Sequence, residues 1–197
     1  MAASAKKKTT ARAGRARPGP RRAEKSARKP SSRSNATRSA GSRASMQQPD
    51  ALALLRRDHE KVSALFKAFD KIKGDGAEKA ELVATICQEL TVHATIEEEI
   101  FYPTVRQAID DSDLLDEAEV EHASLKALIG QLQQMRPGDE LYDAKVTVLS
   151  EYVKHHVKEE QDEMFPKVRK ARLDLMALGA QLQARKGAIA GADTGRG

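Results

Sequence analysis

Four histidines and two glutamates in this sequence have the residue types and spacing of a metal-ligand set that occurs twice. Each copy has a histidine, a second histidine 34 residues later and a glutamate four positions beyond that, and the copies are offset by 63 residues. Imidazole nitrogens and carboxylate oxygens suit iron, manganese or zinc. The indicated chemistry is transition-metal binding, by His59, His93 and Glu97 in the first copy and by His122, His156 and Glu160 in the second.

The four-residue separation within each copy predicts that the second histidine and the glutamate share one face of an α-helix. Four residues turn through about 400° and rise about 6 Å. One such pair is a weak signal, because helices carry many histidines and glutamates, whereas the duplicated register of the whole set is specific. Paired carboxylates are typical of two ions held a few ångströms apart, with positions left open for water or a small ligand.

The elements that must position these ligands are long helices, because the apolar residues around them recur at helical spacing and repeat in both copies. Short turns favour antiparallel neighbours, so the predicted fold class is all-α, an up-down-up-down four-helix bundle. Pro103 and Pro166 are expected to break or kink the second and fourth helices. The helices are predicted from the Asp50 cap to about Lys73, from about Ala77 to Phe101, from a cap among Asp110, Asp111 and Asp113 to about Met135, and from near Asp139 to Phe165, with a shorter fifth helix at about 168–186.

The charge of the chain is divided between two parts of opposite sign. Residues 1–50 hold 14 Lys and Arg against two acids, a net charge of +12. Since the whole chain has a net charge of +5, residues 51–197 have a net charge of −7. Almost nothing apolar larger than alanine precedes Met46, so this segment cannot bury enough surface to offset the entropy of ordering. The predicted organisation is a disordered basic tail at 1–48, the bundle at 49–170, a C-terminal helix at 171–186 and a flexible terminus at 187–197.

The basic tail has the charge to bind nucleic acid non-specifically by neutralising phosphates, although it has no aromatic residue to stack on bases. A solubilising extension and an organelle transit peptide are the alternatives. No stretch approaches the roughly 18 apolar residues that a membrane helix needs, so no membrane partner is expected. The single cysteine, Cys87, lies in an apolar helical pattern and indicates a reduced thiol in the cytoplasm.

Four sequence segments together resemble the two halves of a hemerythrin-like HHE cation-binding domain. They are RRDHEKVSALF, HATIEEEIFYP, VEHASLKALI and HHVKEEQDEMFP, and the resemblance covers about residues 50–170. It implies a non-haem centre of two irons per chain with an oxo or hydroxo bridge, with manganese or zinc as lesser choices. It also implies terminal ligands at His59, His93, His122 and His156 and bridging carboxylates at Glu97 and Glu160.

The sequence departs from the oxygen-carrying hemerythrins, which have a fifth histidine on the third helix. Glu119 is nearest to that place and lies three positions before His122, so it is a candidate additional metal ligand; the alternative is a solvated glutamate. A carboxylate there would favour ferric iron and argue against reversible oxygen carriage. A ferritin-like centre is disfavoured because Arg56 stands where its Glu-x-x-His motif would need a glutamate before His59.

Several residues adjacent to the predicted ligands are not themselves assigned as ligands. His155 is out of register with the first copy, so His156 is preferred as the ligand. Asp58 and Glu121 could hydrogen-bond to imidazole nitrogens but are expected to be solvated. The other acids near the ligands, among them Glu98, are expected on the wet face, and Tyr102 and Phe165, at equivalent positions, are expected to close the end of the core.

The expected function is that of a metal-binding protein whose di-iron centre binds O2, NO or a reduced oxygen species, or that senses or buffers iron. One alternative is a di-iron peroxidase or catalase-like enzyme at the same centre. Another is a DNA-associated stress protein docked through its basic tail. Hydrolase and nucleotide-binding functions are excluded, because the sequence has neither a Ser-His-Asp ordering nor a Gly-rich phosphate loop.

Overall fold

The computed structural model of the chain describes residues 49–194, which form helices and turns and contain no strand. The helices are α1 (Ala51–Phe69), α2 (Ala77–Ile96), α3 (Tyr102–Arg106), α4 (Ser112–Leu132), α5 (Tyr142–Glu159), α6 (Phe165–Lys170) and α7 (Leu175–Thr194). Two single π-helical turns, π1 (Glu97–Phe101) and π2 (Glu160–Met164), join α2 to α3 and α5 to α6. Contacts of α1 with α2, α2 with α4, α4 with α5 and α5 with α1 close a four-helix ring, which confirms the predicted all-α bundle. The predicted disordered tail at 1–48 lies outside the described residues.

The four long helices of the bundle, α1, α2, α4 and α5, have ends that lie close to the predicted residues. The Asp50 carboxylate caps α1 by accepting from the backbone N–H of Ala53 at 2.8 Å, as expected. The first helix ends at Phe69 rather than Lys73, and the fourth begins at Tyr142 rather than Asp139. The late start of α5 follows from Leu141, whose φ of 66° is left-handed and ends the preceding turn.

The two prolines that were expected to break or kink the helices lie instead just after the π turns, in helices that continue to Arg106 and Lys170. Proline has no N–H to donate to the carbonyl four residues earlier. In π1 the N–H of Tyr102 bonds to the carbonyl of Glu97, five residues back, so the extra residue accommodates Pro103 without ending the helix. Tyr102, the residue before this proline, therefore has helical dihedrals, with φ −61° and ψ −43°.

Two clusters of buried apolar residues lie on opposite sides of the predicted ligands along the bundle. In α1, Leu55 belongs to one cluster and Val62 to the other, with His59 between them. In α4, Ala118 and Leu125 flank His122 in the same way. The predicted ligands therefore lie in a polar layer between two dry layers of the core.

The fifth long helix, α7, is longer than predicted and packs against α1, α2 and π1. Its Leu178 and Leu182 are buried, and Ile189 packs against the same apolar cluster, so the helix continues past Lys186 to Thr194 instead of becoming loose. The last three residues lie outside the described part. None of the helices between residues 49 and 194 is long and apolar enough to cross a membrane.

Candidate metal centre

The structure brings the six predicted ligands into one cluster from α1, α2 with π1, α4, and α5 with π2. The imidazole Nε2 atoms of His59 and His93 are 3.0 Å apart, and those of His122 and His156 are also 3.0 Å apart. The two groups of mutually close ligand atoms are a first subsite of His59, His93, Glu97 and Glu160 and a second subsite of His122, His156 and Glu97. Within each group the ligand atoms lie within 4.8 Å of one another, close enough to bind one ion.

The two glutamates lie between histidines of different halves of the bundle. Glu97 Oε2 is 3.2 Å from Nε2 of His93 and 3.5 Å from Nε2 of His122. Glu160 Oε2 is 3.2 Å from Nε2 of His59 and 3.8 Å from Nε2 of His156. Each carboxylate therefore lies within 4 Å of a histidine of each subsite.

The donor set fits metal ions, because its carboxylate oxygens are buried without hydrogen-bond donors. The Glu97 side chain has no solvent exposure, and neither of its oxygens accepts a hydrogen bond; Glu160 is also buried, with Oε2 3.2 Å from Nε2 of His59. A buried carboxylate without partners is costly, and cation coordination offsets this cost. Imidazoles and carboxylates are the donors that iron, manganese and zinc take.

Burial and mutual proximity set the protonation of the cluster. Desolvation lowers the pKa of His93 to about 4 and that of His122 to about 4, so both are neutral at pH 7, as metal ligands must be. Burial and the neighbouring Glu160 carboxylate raise the pKa of Glu97 well above its ordinary value. Burial also acts to raise the pKa of Glu160, but the adjacent imidazoles, His156 first, lower it. Burial and the second carboxyl group therefore favour the protonated form of Glu97, whereas the imidazoles favour the ionised form of Glu160.

Three of the imidazoles have a carboxylate facing Nδ1, the ring nitrogen that points away from the cluster. The Nδ1–H of His122 donates to Glu98 at 2.9 Å, and that of His156 donates to Glu121 at 2.8 Å. Asp58 faces Nδ1 of His93 at 3.6 Å. Carboxylates in these positions orient the rings and leave Nε2 free to bind metal. We call the side chain that faces each Nδ1 its Nδ1 partner.

The fourth Nδ1 partner is an amide, Gln161, whose side-chain nitrogen is 2.9 Å from Nδ1 of His59. The four partners follow the duplication, since Asp58 is offset from Glu121, and Glu98 from Gln161, by the same 63 residues. The expectations that Asp58 and Glu121 are solvated and that Glu98 faces water are therefore wrong. The duplicated register relates Glu98 to Gln161, one position beyond each glutamate ligand, but it does not indicate which ring each side chain contacts.

Tyr102 is a site residue that the sequence did not predict. Its hydroxyl donates to Glu160 Oε1 at 3.2 Å and lies 3.3 Å from Nε2 of His122 and 3.5 Å from Nε2 of His156. A π turn places residue i+5 beside residue i, so π1 turns Tyr102 toward the cluster. Phe165, at the equivalent position, stacks on His59 with ring centroids 6.1 Å apart.

The candidate additional ligand, Glu119, does not reach the cluster, and that expectation is corrected. Its carboxylate is 2.9 Å from Arg106 in α3, and its side chain is 57% exposed. Three positions on a helix turn through about 300°, which places Glu119 about 60° away from His122 and toward the arginine. His155 also points outward, with a side chain that is 64% exposed and 3.1 Å from Glu159, as the register predicted.

A cavity of about 20 Å³ adjoins the four imidazoles on the side away from Tyr102. Apolar side chains close it, among them Val62, Leu90, Leu125 and Val153. A cavity of about 10 to 15 Å³ on this measure holds one water. This space therefore has room for about one water-sized molecule beside the ligand nitrogens.

The fold and the site define a class, a four-helix bundle whose inward histidines and glutamates form a cation-binding centre. The chain belongs to the hemerythrin HHE cation binding domain family, whose model matches residues 50–168. A crystal structure of a hemerythrin HHE cation binding domain-containing protein from Mycobacterium kansasii has the same fold. Its TM-score is 0.65 at 20% identity, and the match covers 73% of this chain and 89% of that one.

A curated relative is also similar to the bundle region. It is a protein named DNA nickase from Nostoc sp., 31% identical over 116 residues, which are 59% of this chain and 32% of that protein. The chain therefore spans about a third of the length of this relative.

Proposed function

We propose that this protein holds two iron ions between its four histidines and two glutamates and binds O2, NO or a reduced oxygen species beside them. The observation that carries the proposal is Glu97, a fully buried carboxyl group neither of whose oxygens accepts a hydrogen bond, which lies beside a second buried carboxyl group, Glu160, among four imidazoles. In the proposed centre His59 and His93 would hold one ion, His122 and His156 would hold the other, and Glu97 and Glu160 would supply carboxylate oxygens to them. Iron supplies a redox couple and an open coordination position there.

The side chains around the centre prepare it for a small ligand. The carboxylate Nδ1 partners orient the imidazoles, and the apolar core on both sides excludes bulk water. The Tyr102 hydroxyl holds its proton over a wide pH range, because burial and the nearby Glu160 carboxylate raise its pKa well above the ordinary value. Tyr102 is therefore a hydrogen-bond donor inside the site, and the 20 Å³ cavity limits the ligand to a few atoms.

The decisive experiment is metal analysis with an optical spectrum of the full chain purified from its own cells. We expect about two irons per chain and an oxo-to-iron absorption band, changed by O2 or NO. Stoichiometric zinc without iron would refute the redox and oxygen chemistry. Rapid turnover of added hydrogen peroxide, instead of a stable adduct, would identify the peroxidase or catalase-like alternative.

A second candidate function, association with DNA, is supported by two observations. The relative from Nostoc sp. is named a DNA nickase, and residues 1–50 of this chain carry a net charge of +12. We infer that the tail binds the phosphate backbone of nucleic acid and brings the metal centre to it, in a reducing cytoplasm that suits the single buried thiol of Cys87.

The test compares the full chain with a chain that lacks residues 1–48. We expect binding to duplex DNA of mixed sequence that weakens steeply as salt is raised, and that is lost in the shortened chain. The shortened chain should keep its iron content and spectrum. Equal DNA binding by both chains would overturn the role of the tail.

A further inference from the structure

We infer that Gln161, held by Arg56, makes the two metal subsites unequal, so that the first subsite binds its ion more weakly and exchanges it more readily than the second. This inference rests on the proposed metal centre. It concerns His59, the one ligand whose Nδ1 partner is an amide instead of a carboxylate. The residue equivalent to Gln161 in the first copy of the repeat is a carboxylate, Glu98.

Arg56 fixes which way the amide of Gln161 points. Its guanidinium donates to Gln161 Oε1 at 2.8 Å. A guanidinium has only donors, so the amide oxygen must face Arg56 and the amide NH2 must face His59. The guanidinium is also held over the ring of Phe165, 5.1 Å from the ring centroid, which keeps it in place.

The amide orientation in turn determines the tautomer of His59. The Gln161 nitrogen lies 2.9 Å from Nδ1 of His59, and an NH2 group donates, so Nδ1 must hold a lone pair. The proton of the neutral ring then lies on Nε2, which is 3.2 Å from Glu160 Oε2. Nε2 is the atom that faces the cluster, and an imidazole cannot bind a metal ion through a protonated nitrogen.

In the second subsite the hydrogen bonds at Nδ1 run in the opposite direction, from the imidazole to its partner. Its Nδ1 partners are the carboxylates Glu98 and Glu121, which accept from Nδ1–H, so the Nε2 of each ring in its neutral form carries a lone pair. The other oxygen of Glu98 accepts from the Lys126 ammonium at 2.6 Å, which holds this carboxylate in place.

The two subsites also differ in the aromatic side chain that lies beside one of their histidines. The second subsite has the Tyr102 hydroxyl 3.3 Å from Nε2 of His122, whereas the first has the phenyl ring of Phe165 stacked on His59. The second subsite therefore has an additional polar group and two anionic Nδ1 partners. The first has one carboxylate partner, Asp58 on His93, and one neutral partner, Gln161, with the Arg56 guanidinium near it.

Metal binding at His59 consequently requires a rearrangement that the other ligands do not need. The imidazole proton must move to Nδ1, and the amide must turn over, which breaks its hydrogen bond with Arg56. Changes to the groups that orient metal-binding histidines typically cost tenfold to a hundredfold in metal affinity. We expect the two dissociation constants to differ by about this factor, so that the chain passes through a one-ion state as iron is supplied.

The tautomers can be tested directly in the full-length, metal-free chain by imidazole ¹⁵N NMR at neutral pH. We expect His59 to carry its proton on Nε2 and His122 to carry it on Nδ1. In Arg56→Met the amide is free to turn, and His59 should shift toward the Nδ1–H form. Finding the Nδ1–H form of His59 in the unaltered chain would overturn the inference without affecting the proposed metal centre.

Affinities are tested by titrating the full chain with Fe²⁺ under anaerobic conditions against a competing chelator. Two binding steps at least about tenfold apart are expected. Gln161→Glu should bring the weaker step toward the stronger one, and the matched control Glu98→Gln should weaken the stronger step. If Gln161→Glu does not fold, as judged by circular dichroism, Arg56→Met gives the same test.

The outcomes separate the two proposals. Two irons bound with equal affinity in the unaltered chain, or steps unmoved by Gln161→Glu and Arg56→Met, would overturn the inequality of the subsites and leave the di-iron centre intact. No iron bound at either subsite would refute the metal centre itself.

Discussion

The hydroxyl of Tyr102 donates a hydrogen bond to Oε1 of Glu160 at 3.2 Å, across the inside of the bundle from the start of α3 to π2. The bond joins the two duplicated halves at the point where the glutamates face both subsites. Only one half supplies the hydroxyl, since the equivalent residue is Phe165. The duplicated scaffold thus has a centre that is symmetric in its ligands and asymmetric in what surrounds them.

Tyr102→Phe should destabilise the metal-free protein, because it leaves Glu160 without its only donor on Oε1 while the phenyl ring still fills the core. A hydrogen bond to a charged group contributes about 1.5 to 3 kcal/mol. Urea denaturation of the chelator-treated chain measures this loss. Tyr152, which is 47% exposed, is the matched control, and Tyr152→Phe should leave the free energy of unfolding unchanged. Equal effects of the two substitutions would contradict the role of Tyr102 in the site.

Substitution of His156 should lower the metal content, whereas substitution of the adjacent His155 should not. His156 is buried with its Nε2 in the second subsite, whereas His155 points to solvent beside Glu159. We expect His156→Ala to lose about one of the two irons, because removing a ligand leaves the second subsite incomplete. Iron content measured by elemental analysis should be unchanged in His155→Ala. It should also be unchanged in Glu119→Gln, since that carboxylate pairs with Arg106.

The sequence predicted the features that depend on local geometry. Helical periodicity gave the four long helices, and the spacing of His93 and Glu97 put them on one face, because both follow from the fixed rise and turn of an α-helix. The register of the duplication also separated His156 from His155. Each of these inferences needed only the positions of residues within one helix or one repeat.

The features that were not predicted depend on neighbouring helices or on departures from α-helical geometry. A proline following an acidic turn is compatible with a break, a kink or a π turn, and only the last brings Tyr102 to the cluster. Glu119 lies on a suitable face of α4, but Arg106 at the end of α3 holds its carboxylate. Glu98 faces inward because His122 on another helix offers it a donor. None of these partners could be inferred from spacing alone.

Gly179→Ala should disturb the packing of α7 on the start of α1. A Cβ at this position would lie 2.6 Å from the carbonyl oxygen of Pro49 and 2.8 Å from the backbone N of Ala51, and backbone atoms cannot move aside cheaply. Overpacking of this kind costs about 1 to 3 kcal/mol, more than the roughly 1 kcal/mol that alanine gains over glycine within a helix. Thermal unfolding should show a lower midpoint.

Gly187 on the same helix provides the control for this substitution. A Cβ there would meet nothing within 4 Å, so Gly187→Ala should raise the midpoint through helix propensity alone. A rise for both alanine variants would show that α7 does not pack closely on the start of α1.

Cys87 should be nearly unreactive in the folded protein. Burial raises the pKa of its thiol to about 11, so very little of the reactive thiolate is present at pH 8. We expect iodoacetamide to modify it about a hundredfold more slowly than in urea, where the pKa returns to its ordinary value. The raised pKa also contributes to the free energy of unfolding. This contribution is complete below the ordinary pKa of 9 and is lost as the pH rises through about 11. Equal modification rates in the folded and unfolded chain would contradict the buried position of this thiol between the helices.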